Sequence, residues 1–508
     1  MRKKRVSRWI SAACLTLCIL FVQGPVRAQS TPSPSVPACT AAADSSAPNG
    51  LPCLTTLVQT FTQDKIFLFS GLDLGAAEAD DAAYAALLRA CTGAATCHGA
   101  QLNLFMRLRE LEENAGQLLG FGPTFYSLNL SAQGMSDALR WTADEEFAAQ
   151  SSMTSRFANN QSAAVSDRLS NLRFMQAVRL AWLDGEASNG LLANFTPDGA
   201  NGDGGGAGDP QSAQFGRWSV FANSSYGAGT KAPTMFDDAF SFGSTQVSVG
   251  ADARISPHAI VGFLVNHVLQ EADFNSSESI AAGGITSSGY GLTSYVQFDW
   301  DAAYLNFSLG GQRVSLDTTR VVAYPSNNPL IPSVDTTFHS STDATSLLLS
   351  GGGGYLLHTH GFSAEPYLNA QYLHTHIDAF TESASGPDLG FAASAASQGI
   401  TSLVGAAGMK FQYVFEPSFA VILPYVYGEY RHEFRNPSQD VGSQFGAAPA
   451  GDYFQLPTDD IDPNYYQVGA GLSAVLPHGA QLYLEYLKVL HLEYYTDYVA
   501  SGGFRFEF

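Results

Sequence analysis

The chain has no cysteine beyond residue 97, no apolar run of 18 residues once its first 28 are set aside, and few charges of either sign. Each shortage excludes something. Without a long apolar run there is no transmembrane helix in the mature chain, so it crosses a membrane only as a closed barrel of strands. Basic residues are scarcest, 25 Lys plus Arg against 46 Asp plus Glu for a net charge of −21. Phosphate backbones are held by clustered Lys and Arg, so nucleic acid is excluded as a partner. A nucleophile elbow is missing too: the nearest stretch, Gly442-Ser443-Gln444-Phe445-Gly446, has its serine one place early.

The N-terminus carries a secretory signal. "MRKKRVSR" is a basic n-region, "WISAACLTLCILFVQG" an apolar h-region and "VRAQS" a small-residue cleavage site after Ala28. Cys14 and Cys18 lie within it, without the flanking residues of a lipoprotein site. Four cysteines remain, and an oxidising compartment favours local bridges, Cys39 with Cys53 and Cys91 with Cys97, although three pairings are open. Zinc fits poorly, since Cys-x5-Cys beside the single His98 lacks ligand spacing.

Beyond a Ser-, Pro- and Ala-rich leader, Leu104, Phe105, Leu108, Leu111 and Leu118 recur at helical spacing, and Gly120 with Gly122-Pro123 marks the stop. A second helix, narrow and polar and with room for breaks, is expected from about Asp137 to Leu183. "DGANGDGGGAGDP" from Asp198 reads as a hinge; a single imperfect copy makes a poor calcium loop.

After Gln214 the period becomes two. Val247, Val249, Ala251, Ala253 and Ile255 share one face of a strand, while Gln246, Ser248, Asp252 and Arg254 share the other. "YLNFSLG" and "AQLYLEY" alternate likewise, and about twelve such segments follow one another, the pattern of a membrane barrel with a polar lumen. Trp218, Trp300, Tyr372, Tyr430 and Tyr486 sit where interfacial girdles belong. The last residues fit the same phase, with Phe504, Phe506 and Phe508 toward lipid, Arg505 and Glu507 toward the lumen, and the closing strand paired with the first near Trp218.

Two further features attract attention. His358-Thr-His360 and His374-Thr-His376 offer four imidazoles, but about 14 strand residues, roughly 45 Å, separate the pairs, so they are expected at opposite rims rather than in one metal site. The run Gly351 to Gly354 within a strand marks a close approach of other backbone, and the narrow helix is the expected visitor.

The order of parts is now complete: a signal, an N-terminal segment, a polar helix ending "SDRLSNLR", a connector, strands opening "GRWSVFANSSYG" and running on to "GADARIS", and a terminal Phe. It resembles the translocator of bacterial autotransporters, the type V secretion proteins, over about residues 137–508. The resemblance implies a mainly β fold, a 12-stranded antiparallel transmembrane β-barrel with a lumen-threading α-helix, preceded by a small helical N-terminal segment. Its domains would be a signal peptide (1–28), a short passenger or plug (29–136), a linker helix (137–185), a connector (186–213) and the barrel (214–508).

The implied partners are the outer-membrane bilayer, the β-barrel assembly machinery, which reads the terminal Phe504, Phe506 and Phe508, and periplasmic chaperones. A monomer without cofactor or catalysis is implied as well. Some relatives cut their own linker through an asparagine inside the barrel, a role for which Asn159 and Asn160 are placed. Two alternatives are a porin-like channel with a periplasmic helical plug and an outer-membrane hydrolase with residues on the barrel.

Overall fold

The computed structural model describes residues 99–120, 124–142, 144, 146–150, 153–154, 165 and 168–169. From 217 to 508 it describes all but 235–237, 275–280, 301, 360, 418–419, 436–440, 447–453, 457, 460–461 and 477–479. Among the described residues two helices come first, α1 (Gly99–Leu119) and α2 (Ala132–Trp141). Twelve long strands follow: β1 (Trp218–Lys231), β2 (Phe240–Ser256), β3 (Ala259–Phe274), β4 (Gly283–Trp300), β5 (Ala303–Tyr324) and β6 (Val334–Tyr355). The second half comprises β7 (Phe362–Ile377), β8 (Gln398–Tyr413), β9 (Val421–Arg435), β10 (Asn464–Val475), β11 (Ala480–Leu490) and β12 (Tyr495–Glu507).

Each strand pairs antiparallel with the next, and β12 returns to β1. The seam runs from Ser219 opposite Glu507 to Lys231 opposite Tyr495, and Trp218 and Phe508 exchange both backbone bonds, 3.1 and 3.0 Å. The barrel therefore has twelve strands and no open edge.

Sequence phase decides which side chains meet lipid. Val247 and Val249 are about half exposed on the outer face, whereas Gln246 and Ser248 are buried within. Leu305, Phe307 and Leu309 point out in the same way, and Tyr304, Asn306 and Ser308 point in. An apolar belt of this extent is intelligible only against hydrocarbon. Trp218, Trp300, Tyr355 and Tyr413 ring one margin, and Tyr226, Tyr290, Tyr466 and Tyr486 lie toward the other.

The two ends differ. At one, connections of two to seven residues join the strands; at the other they range from four to twenty-eight. Four short strands from the two longest loops, Phe380–Thr381, Ala393–Ala395, Val441–Phe445 and Phe454–Leu456, make a small sheet of their own at this long-loop end.

The close approach at Gly351 to Gly354 is real, and among the described residues the nearest atoms belong to neighbouring strands. A Cβ at Gly354 would lie 2.7 Å from the Pro366 carbonyl on β7 and 2.7 Å from the Tyr304 hydroxyl on β5. Tyr304 needs that gap because its ring crosses β6 to reach Glu365 on β7, at 2.7 Å. Adding a side chain there overpacks a filled site, so Gly354→Val is expected to cost about 1–3 kcal/mol, read as a lower urea midpoint for loss of the heat-modifiable barrel band.

Candidate functional site: the occupied lumen

The described helical residues after α2 run down the inside of the barrel. Phe147 lies in the long-loop sheet, its ring 4.9 Å from that of Phe380. Ala149 and Met153 pack on Phe242, Val268, Ile285, Val314 and Ile377, all inward positions of the upper wall. Val165 and Leu169 meet Phe221, Ile260, Leu264 and Tyr295 near the short turns. The upper lumen is thus mixed: beside this apolar patch the inward phase carries Gln246, Gln270, Ser287 and Thr318, as a polar wall was expected to, and Gln150 donates to Thr318 at 2.9 Å. Inward Val, Ile and Leu on these strands have a protein partner and need no water.

Each end of this passage is tied by an arginine. Near the short turns Arg168 donates to Asp252 at 2.7 Å and to Ser219 at 3.0 Å, with its guanidinium over the Phe221 ring. Tyr295 and Ser219 also donate to Asp252, at 2.8 and 2.6 Å. At the long-loop end Arg320 of β5, fully buried, lies 2.8 Å from Asp144 and 2.6 Å from Glu382 and donates to the Phe391 carbonyl. Asp144 has φ 54°, outside helical geometry, and marks one of the breaks allowed for in the helix expected from about Asp137. α2 stops at Thr142, whose hydroxyl donates to the Leu139 carbonyl, and helix resumes at residue 146.

Between these ends the wall is braced by tyrosines that reach over a glycine to a carboxylate two strands away. Tyr367 crosses Gly408 to Glu429 at 3.0 Å, Tyr425 crosses Gly471 to Glu485 at 2.6 Å, and Tyr295 crosses Gly262 to Asp252. Tyr427 adds a second bond to Glu485, at 2.8 Å.

Outside the lumen, α1 sits on the long loops. Ten consecutive residues, Arg107 to Gly116, are buried, so the amphipathic stripe expected of this helix is in fact a helix covered all round. Its charges are paired: Arg107 with Glu110 and Asp388, both at 2.7 Å, and Arg109 with Glu113 at 3.0 Å. Burial still pushes the Glu110 carboxyl above its ordinary range, against the pull of Arg107. α2 is fastened by Arg140 to Asp238 at 2.5 Å.

The residues singled out from sequence fall as follows. Phe504, Phe506 and Phe508 face outward, and Arg505 pairs with Glu507 inside at 3.0 Å. His374 and His376 project outward, bonded to Thr401 and beside Asp378, while His358 lies at the other end opposite Ser363, so the imidazoles do not converge. Among the described residues no group of His, Cys, Asp and Glu is placed to hold a metal ion. Ser443 is buried and donates to Asp144, a structural bond. Cys39, Cys53, Cys91, Cys97, Asn159, Asn160, His360 and the glycine-rich stretch lie outside the described residues. Arg320, Arg107 and the bracing carboxylates were missed; the signal was a charged residue in the inward phase of a strand or among the apolar residues of a helix. Arg168 and Asp252 lie within "SDRLSNLR" and "GADARIS", whose pattern alone does not pair them.

A closed, lipid-belted barrel with buried helical residues in its lumen defines the class, a transport barrel of the outer membrane. The autotransporter beta-domain model matches residues 220–487, just over half of the chain, and the chain belongs to that family. Among solved structures, the translocator domain of the autotransporter NalP from Neisseria meningitidis is similar at 16% identity, covering 57% of this chain and 88% of that one, with a TM-score of 0.44. The beta domain of the Bordetella autotransporter BrkA is similar at 16%, covering 57% and 100%, with a TM-score of 0.42. The transport unit of AIDA-I from Escherichia coli follows at 14%, 57% and 90%, with 0.39. No curated protein matches the chain.

Replacing Arg168 by Ala strands Asp252 in the wall. Breaking a buried pair on one side costs about 3–5 kcal/mol, and the expected result is a loss of that size in urea unfolding, smaller in Arg168→Ala with Asp252→Asn.

Proposed function

We propose that this chain secretes and displays its own N-terminal segment, with residues 137–185 as the linker, 186–213 as the connector and residues 29–136 held at the cell surface. The observation that supports it is the seating of α1 and α2 on the long loops, through Arg107–Asp388 and Arg140–Asp238. In outer-membrane barrels the short turns face the periplasm and the long loops face outward, so a segment fastened to the long loops lies outside. The described buried residues between 146 and 169 then belong to the stem by which it passed.

In this reading residues 1–28 are a signal peptide, Cys39–Cys53 and Cys91–Cys97 are bridges formed in the periplasm, and chaperones carry the unfolded barrel to the assembly machinery. The displayed segment is a binding or structural unit without catalysis, and the protein works as a monomer.

Protease added to intact cells is expected to remove an epitope inserted between residues 54 and 90. Protection until the outer membrane is permeabilised would overturn the reading in favour of a channel with a periplasmic plug. The same blot decides self-cleavage: two fragments meeting near Asn159-Asn160 establish it, and a single mature chain excludes it. Deleting Phe508 removes one ring and two backbone bonds, a small part of the seam, but takes away the end that the assembly machinery is proposed to read. Outer-membrane levels should therefore fall severalfold, while the protein that does insert keeps a urea midpoint near that of the parent.

A further inference from the structure

The contacts of α1 carry a consequence that does not depend on which side of the membrane the long loops face. Asp388, fully buried in the loop between β7 and β8, is the meeting point. It accepts from Arg107 Nε at 2.7 Å, from Asn103 Nδ2 at 3.2 Å and from Thr336 Oγ1 at 3.2 Å. Asn103 in turn accepts from the Gly390 backbone N–H at 2.9 Å, and Arg107 also donates to the Pro332 carbonyl at 3.1 Å. Gly390 lies flush on the helix, where a Cβ would come within 2.3 Å of the Leu104 nitrogen. The loop between β5 and β6 grips the following turn, with Asn328 donating to the Ser127 carbonyl at 2.8 Å and the Asn327 backbone to the Leu128 carbonyl at 2.8 Å.

Two loops thus present a shaped, charged seat for one helix: Asp388, Gly390 and Pro332 bind it from more than two hundred positions away, while its Glu113 and Asn114 accept from the backbone of Tyr126 and Leu130 in the turn that follows. We propose that the long-loop end is a receptor for the protein's own α1, with Asp388 as its recognition residue, and that it keeps the N-terminal segment bound after the backbone between α1 and the barrel is cut. Buried, charge-assisted bonds leave slowly, because each partner separated alone is stranded without water. No covalent tie is involved: all four cysteines after the signal lie between residues 39 and 97, and the barrel has none. A processed form of this protein is therefore a two-fragment complex, and its N-terminal part is retained rather than shed.

The test uses the full mature chain in detergent, with Phe121-Gly122-Pro123 replaced by a site-specific protease sequence. After cutting, the N-terminal fragment is expected to co-elute with the barrel in size exclusion. In Asp388→Ala its release should be at least tenfold faster, with the heat-modifiable barrel band unchanged. Asp343→Ala, which removes an exposed ion pair to Arg313 on the outer face, should release it at the parental rate. A parental fragment that leaves the barrel on cutting overturns the inference, as does an Asp388→Ala fragment retained like the parent's.

Discussion

A backbone amide or carbonyl in hydrocarbon must find its partner within the protein, because each one left bare costs several kcal/mol. That requirement fixes nearly everything else in this chain. It forces β12 back onto β1, so the last and first residues of the wall, Phe508 and Trp218, are bonded to each other across 290 residues of sequence. Closure in turn creates an inside, and an inside lined by alternate residues of twelve strands has to be filled or wetted.

The filling is done in two ways. Where the inward phase carries Phe242, Val268, Ile285 and Val314, the helical residues Ala149 and Met153 supply apolar contact. Where it carries charge, the charge is answered at once, by Arg168 for Asp252 and by Asp144 and Glu382 for Arg320. Buried ion pairs add little to stability compared with apolar packing, but a missing partner is severe. They therefore act as locators. One arginine comes from the helical stretch and the other from the wall, so the passage is pinned at both ends by groups of opposite origin.

How far the sequence reveals this depends on period. Alternation on β2 and β5 is unambiguous, since a one-residue shift would turn Val247 and Leu305 into the lumen. Closure was legible as well, from the phased rings of Phe504, Phe506 and Phe508. The seating of α1 was not: Leu104, Leu108 and Leu111 read as one apolar stripe, and nothing local tells that Arg107 between them will be buried against loops more than two hundred residues away. The glycines of β6 announced a close approach but not the rings and carbonyls of the neighbouring strands that fill it, because such neighbours and a helix from within leave the same blank in the sequence.

The tyrosine braces settle a matter that alternation leaves open. A slip of one residue between strands is forbidden by the pattern of faces, but a slip of two keeps every side chain on its proper side while moving it about 7 Å along the wall. Tyr367 to Glu429 and Tyr425 to Glu485 each span two strand boundaries, so one hydrogen bond reports on two registers together. A slip of two at either boundary would carry hydroxyl and carboxylate out of reach. The stagger of a barrel, which sets its girth for a given strand number, is thereby gauged from within, by rulers one tyrosine long.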